Sequence, residues 1–256
     1  MITRFLAVVA VLTLLAAGGA VAQQPAQPPV REITKIAGEV YRFRNNNHYS
    51  VFAVTSAGVI ATDPIDAGAA QWLKDEIARR FKVPVHYVIY SHDHADHISG
   101  GQIFTDAVVV AHENAKAAIV AEKRPTAVPG VTFSDDMSIE LGGTVVQLSY
   151  VGKNHSDNSI VMRFPKERIL VAVDFIPVEA LAFRDFPDAY INDWIDSLRK
   201  VEMMDFDILA PGHGPLGRKA HVAPAERRGN VPLRVALPTT ELRSFRDPME
   251  EARARC

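Results

Sequence analysis

A dense group of metal-ligating side chains, His92-Asp93-His94-Ala95-Asp96-His97, stands directly after the run Val85 to Tyr90 and narrows what this chain can fold into. The run is rich in β-branched and aromatic residues and is bounded by Pro84 and Ser91, which predicts a strand. His92 and His94 are two apart, so in a still-extended backbone both imidazoles project to one side, as sharing a cation requires. Asp96 and His97 follow where the chain must turn towards a helix. They point in different directions there and are placed to hold a second ion. A lone histidine is ordinarily a surface or satisfied core residue, but three imidazoles and a carboxylate within six positions at a strand end make a metal site. Gly100-Gly101 is expected to let the backbone pass close to this cluster, where a side chain would collide.

This cluster resembles the signature of the metallo-β-lactamase-fold hydrolases. The resemblance implies an α/β chain folded as a four-layer αββα sandwich, with two zinc ions and a small-molecule substrate. The family's further ligands have matches downstream, in order. His155 lies in Gly152-Lys-Asn-His155-Ser156, Asp174 follows the apolar run Ile169 to Val173, and His213 lies in Pro211-Gly-His213-Gly214. By similarity, His92, His94 and His155 hold one zinc, Asp96, His97 and His213 hold the other, and Asp174 bridges them. Five imidazoles and two carboxylates suit zinc, although iron or manganese would also be accommodated. Asp96 is the expected catalytic residue, orienting a metal-bound hydroxide and handling its proton. Asp63, just before Pro64, is either a supporting group beside the metals or a turn-initiating residue.

Two features pull the substrate reading apart. In the family the position of Asp174 is Cys or Ser in the β-lactam-hydrolysing members, whereas Asp is usual in the glyoxalase II, lactonase and phosphodiesterase branches. Export, argued below, is typical of the lactamases. The leading expectation is a hydrolase of a small ester, lactone or amide, with a β-lactamase as one alternative and a mononuclear iron sulfur dioxygenase of the same fold as another. A metal-binding module without catalysis is the remaining class. Glyoxalase II itself is disfavoured by the short stretch after His213.

The N-terminus reads as a signal peptide over residues 1–22: Arg4 is a positive n-region, Phe5 to Ala17 is nearly continuously apolar, and Ala20-Val21-Ala22 fits a small-x-small cleavage site. Its apolar run is shorter than the ~20 residues of a spanning helix. Cleavage before Gln23 would leave a periplasmic or secreted protein with no stable membrane association. Residues 23–31 form a Gln/Pro-rich linker, 32–223 the folded domain, and 224–256 an atypical tail in which Pro224, Pro232, Pro238 and Pro248 interrupt any helical period. Cys256 is the single cysteine, so no internal disulfide forms, and a net charge of -2 gives no reason to expect nucleic acid.

Strands are expected at Val40 to Phe43, Tyr49 to Thr55, Val59 to Thr62 and Ala107 to Ala111. Two hairpins should follow, one turning at Gly142-Gly143 and one at Pro165-Lys166, and Phe206 to Ala210 is the last core strand. Ala69, Trp72, Leu73, Ile77 and Phe81 fall at helical spacing, and further helices are expected at Glu113 to Lys123 and Ala189 to Met204. His48, His86 and His112 read as structural histidines outside the site. Substrate choice is expected from the Asn45 to Tyr49 turn, the Phe175 to Asp188 loop and Lys153.

Overall fold

The computed structural model describes residues 27–180 and 188–222. The expected signal peptide, residues 23–26 of the linker and the Pro-rich tail lie outside the described residues. Strands β1 (Arg31–Ala37), β2 (Val40–Asn45), β3 (His48–Thr55), β4 (Gly58–Thr62), β5 (Val85–Ile89), β6 (Val108–His112) and β7 (Val131–Phe133) form one sheet in chain order. A second sheet runs β13 (Gly217–Arg218), β12 (Ile208–Ala210), β11 (Ile169–Val171), β10 (Ile160–Phe164), β9 (Thr144–Tyr150) and β8 (Asp136–Leu141).

Side-chain alternation builds the layers. In β4, Val59 and Ala61 face the helices while Ile60 faces the other sheet. In β10, Ile160, Met162 and Phe164 face inward while Val161 faces the opposite helix. Both faces of these strands are buried, which explains why they read as near-continuous apolar runs. Helix α1 (Ala67–Phe81) and α3 (Glu113–Ala121) cover the first sheet through Ala69, Leu73, Ile77, Ala115 and Ile119. On the far side α4 (Ile191–Met203) covers the second through Trp194, Leu198 and Val201. The result is the expected αββα sandwich, with a middle layer of Val40, Val51, Ile89, Val146, Leu148, Phe164 and Val171 between the sheets.

Strands β4 to β7 pair in parallel, as do β11 and β12, and each helix crossover returns the chain so that the carboxyl ends of these strands gather at one edge. The site residues occupy that edge. Helix α1 starts with Asp66, whose side chain accepts from Ala69 N–H, and ends at Lys82 with φ 58°. Gly142 and Gly143 have φ of 54° and 81°, the pair of positive values a tight β8–β9 hairpin demands.

One boundary and one glycine assignment differ from expectation. The linker ends one residue early, because Arg31 already pairs with Asn45 as the first residue of β1. No residue of this strand is fully buried, and Thr34-Lys35 breaks its alternation, so its sequence carries little strand signal. Gly100 and Gly101 do not face the metal-ligand cluster. A side chain on Gly100 would strike the Ala67 backbone at 2.6 Å, and one on Gly101 would meet the Tyr90 and Thr126 side chains. The glycine the cluster requires is Gly212, where a Cβ would stand 2.9 Å from His97 and 3.0 Å from Asp174.

Candidate metal centre

Each expected ligand follows a strand that fixes its position. His92 and His94 leave β5, and Asp96 and His97 lie on the single turn α2 (Ala95–Ile98). His155 follows β9, Asp174 follows β11 and His213 follows β12. Their donor atoms fall into two groups. One comprises His92, His94, His155 and Asp174, and the other His48, Asp96, His97 and His213, with the atoms of each group within 4.8 Å of one another.

Donors on a tetrahedral zinc, with bonds of about 2.0–2.1 Å, stand roughly 3.3 Å apart. In the first group His94 Nδ1 and His155 Nε2 are 3.0 Å apart, and Asp174 Oδ2 lies 3.5 Å from His155 Nε2 and 3.7 Å from His92 Nε2. In the second, His97 Nε2 stands 3.2 Å from His213 Nε2 and 3.4 Å from Asp96 Oδ2. Asp174 touches both groups, since its Oδ2 is also 3.1 Å from His97 Nε2 and its Oδ1 is 3.5 Å from His213 Nε2. The buried His92 Nε2 and Asp174 Oδ1 have no hydrogen-bond partner within the protein. Buried polar atoms ordinarily find one, so an orphaned pair aimed into a ring of imidazoles fits a bound cation.

Outer partners set the tautomers. His94 Nε2 is 2.8 Å from the Asp188 carboxylate, which only accepts, so Nε2 carries the proton and Nδ1 presents its lone pair inward. His213 Nδ1 is 3.0 Å from the Asn47 carbonyl, and the same reasoning leaves Nε2 free to ligate. Ser91 Oγ lies 2.8 Å from His92 Nδ1. Asp93 points away from the centre. It accepts from Arg124 at 2.9 Å and from Asn158 Nδ2 at 2.9 Å, while its own N–H donates to Asn158 Oδ1 at 3.0 Å, which ties the first ligand loop to the loop bearing His155. Trp194 donates to the Phe175 carbonyl at 2.9 Å and sets its ring edge-on to His155.

Burial opposes charge on the centre's groups, and their neighbours reverse it in places. His97 is almost fully buried, yet Asp174, Asp63 and Asp96 outweigh that cost and raise it to about 9. Burial would likewise raise Asp174, but His97, His92 and His155 hold it well below the ordinary carboxylate range. Asp96 lies below that range too, because His48 and His97 overcome its partial burial. His92, His155 and His213 are lowered, chiefly by burial, and so favour the neutral form that ligates a metal.

Asp63 stands beside the centre as well as at the turn. It is fully buried, its Oδ1 accepts from Ser91 N–H at 2.8 Å, and its Oδ2 lies 3.9 Å from His97 Nδ1. Burial raises its pKa to about 6, although His97 pulls the other way. Asp63→Asn should therefore weaken metal binding by roughly 10–100-fold, the usual effect of losing a carboxylate behind a ligating histidine. Competition against a chromophoric chelator measures this. Unchanged affinity would leave Asp63 a turn residue only, since asparagine serves a turn equally well.

Two contributors escaped the sequence reading. His48 is not a bystander: its Nε2 stands 3.2 Å from Asp96 Oδ2, inside the second donor group. It lies far upstream of the motif, and no local spacing links the two. Asp188 was expected to face substrate but instead braces His94. His112 does act structurally, accepting from Asn114 N–H to cap α3 and lying 2.9 Å from the Ser134 carbonyl. Of the other expected specificity elements, Phe175, Ile176 and Val178 are buried under α4, residues 181–187 lie outside the described residues, and Lys153 sits over the Tyr190 ring at 4.5 Å.

A two-sheet sandwich with paired histidine and carboxylate donors at the strand ends defines a class of metal-centred α/β protein. Residues 65–213 match the family model described as the metallo-beta-lactamase superfamily, and the chain belongs to that superfamily. Among curated proteins it is similar to a metallo-beta-lactamase type 2 of Bacillus sp. (strain 170), 29% identical over 169 residues that cover 64% of this chain and 66% of that protein. It is also similar to the 2,4-dinitroanisole O-demethylase subunit alpha of Nocardioides sp. (strain JS1661), 27% identical over 70% of this chain and 56% of that protein. The matches thus span somewhat less than two thirds of these relatives. A metallo-beta-lactamase from Pontibacter korlensis shares the fold with a TM-score of 0.69 at 22% identity, covering 75% of this chain and 95% of that one.

Proposed function

We propose that this chain is an exported hydrolase that carries two zinc ions and cleaves a small ester, lactone or amide. The observation that carries the reading is Asp174, whose carboxylate reaches both donor groups. Bound there, a pair of zinc ions would supply a hydroxide near neutral pH and polarise the scissile carbonyl. The protein's own part is positioning. His92, His94 and His155 would hold one ion, Asp96, His97 and His213 the other, and Asp174 would be shared. The Asp96 side chain is 51% exposed at the mouth of the centre and is held ionised, which suits it to orient an attacking water and take its proton.

Aspartate rather than Cys or Ser at position 174 supports an ester or lactone over a β-lactam. The metallo-beta-lactamase relatives support the β-lactam alternative. Purified enzyme should contain close to two equivalents of zinc and turn over members of a panel of lactones, thioesters, phosphodiesters, penicillins and carbapenems. Turnover confined to the β-lactams would replace the leading substrate class. One equivalent of iron with oxygen consumption would replace hydrolysis with sulfur dioxygenation.

Export rests on residues 1–22, and the mature chain is expected to start at Gln23 in the periplasm or medium. No helix of the described residues is long and apolar enough to cross a membrane. Mass spectrometry of the extracytoplasmic fraction tests the cleavage, and an intact Met1 on a membrane-bound product would overturn it.

A further inference from the structure

We propose that His48 is an additional protein ligand of the second ion, beside Asp96, His97 and His213. The inference rests on the two-ion reading above. Its basis is a polyhedron of donor atoms: His48 Nε2 to Asp96 Oδ2 is 3.2 Å, Asp96 Oδ2 to His97 Nε2 is 3.4 Å, and His97 Nε2 to His213 Nε2 is 3.2 Å. Asp96 Oδ2 to His213 Nε2 is longer, at 3.9 Å. The three shorter separations match the roughly 3.3 Å expected between neighbouring donors on one zinc ion, and with Asp174 shared the second ion would have five protein donors. The His48 ring stands edge-on to the His213 ring, with centroids 4.5 Å apart, and lies 5.6 Å from the His97 ring. A histidine that only accompanied Asp96 would have no reason to converge on the other two donors as well.

The fold also holds His48 in place. The tip of the β2–β3 hairpin, still paired within its own sheet, also pairs with the ligand loop of the second sheet, through a bridge between His48 and His213 and a bond from Tyr49 N–H to the Gly212 carbonyl at 2.8 Å. His213 Nδ1–H donates back to the Asn47 carbonyl. Underneath, the buried Arg42 donates to the carbonyls of Pro211 and Gly214, each at 2.8 Å, and its guanidinium stacks on Tyr49 at 3.7 Å. Hairpin tip and Pro-Gly-His-Gly loop are therefore one unit, and position 48 is set by the same contacts that set His213.

The test uses the full chain labelled with ¹⁵N-histidine and loaded with ¹¹³Cd chloride, whose one-bond coupling to ring nitrogen marks each ligating imidazole directly. Of nine histidines, six should show coupling: His48, His92, His94, His97, His155 and His213. Two bound cadmium ions with only five coupled rings would overturn this proposal while leaving the two-ion reading intact. A single bound cadmium would overturn both. His48→Gln should remove one coupled ring and weaken the second equivalent by on the order of a hundredfold. Six coupled rings persisting in that variant would overturn the assignment to His48, and assignment of the wild-type rings decides the matter if the variant folds poorly.

Discussion

Asp174→Ala should lose metal from both halves of the centre and lower hydrolysis by on the order of 10³-fold or more. Its Oδ2 lies 3.1 to 3.7 Å from His97, His155 and His92, and its Oδ1 faces His213 at 3.5 Å, so one truncation removes a donor from each group. The loss is also electrostatic. Asp174 is the chief anion holding His97 ionisable at about 9, and without it three closely set imidazoles must share a cation with less negative charge nearby. Metal analysis after dialysis is the measurement, with circular dichroism to confirm that the sandwich persists. Loss of one ion alone, with the other at full occupancy, would show that Asp174 belongs to a single site. Effects of Asp174 and its neighbours should be far from additive, because they share partners.

Asp96→Ala should cost activity beyond its cost in metal. With zinc restored to the wild-type content, kcat is expected to fall by roughly 10²–10⁴-fold, the range for a positioned general base. Asp96→Asn separates the two roles further: it keeps an oxygen for the metal but cannot take a proton. The carboxylate is the most exposed of the second group, and its exposure is what gives it access to an incoming water. Near-normal turnover of either variant at full zinc content would reduce Asp96 to a ligand.

Much of this was legible in local pattern. The near-continuous apolar runs Ile160 to Met162 and Val59 to Ala61 report strands covered on both faces, and Leu198 and Val201 report a helix with one apolar side. The donors His92 and His94 were legible because a period of two carries its own geometry. His155, Asp174 and His213 were found by resemblance rather than by spacing, since nothing in the chain between them encodes their distance.

What the sequence by itself determined is therefore the layered architecture and the inventory of ligands at strand ends. The tertiary structure alone showed that these donors converge in two groups, and it placed His48 within one of them and Asp188 behind His94. Asn47 meets His213 across 166 positions, and His94 meets Asp188 across 94. It also moved the role of the close-approach glycine from Gly100 to Gly212. The physical reason is that periodicity reports which way a side chain points within its own element, whereas a metal centre is assembled where the edges of two sheets meet. That meeting is set by the packing of Arg42, Tyr49 and the Pro-Gly-His-Gly loop, contacts between distant segments that leave no periodic trace in either one.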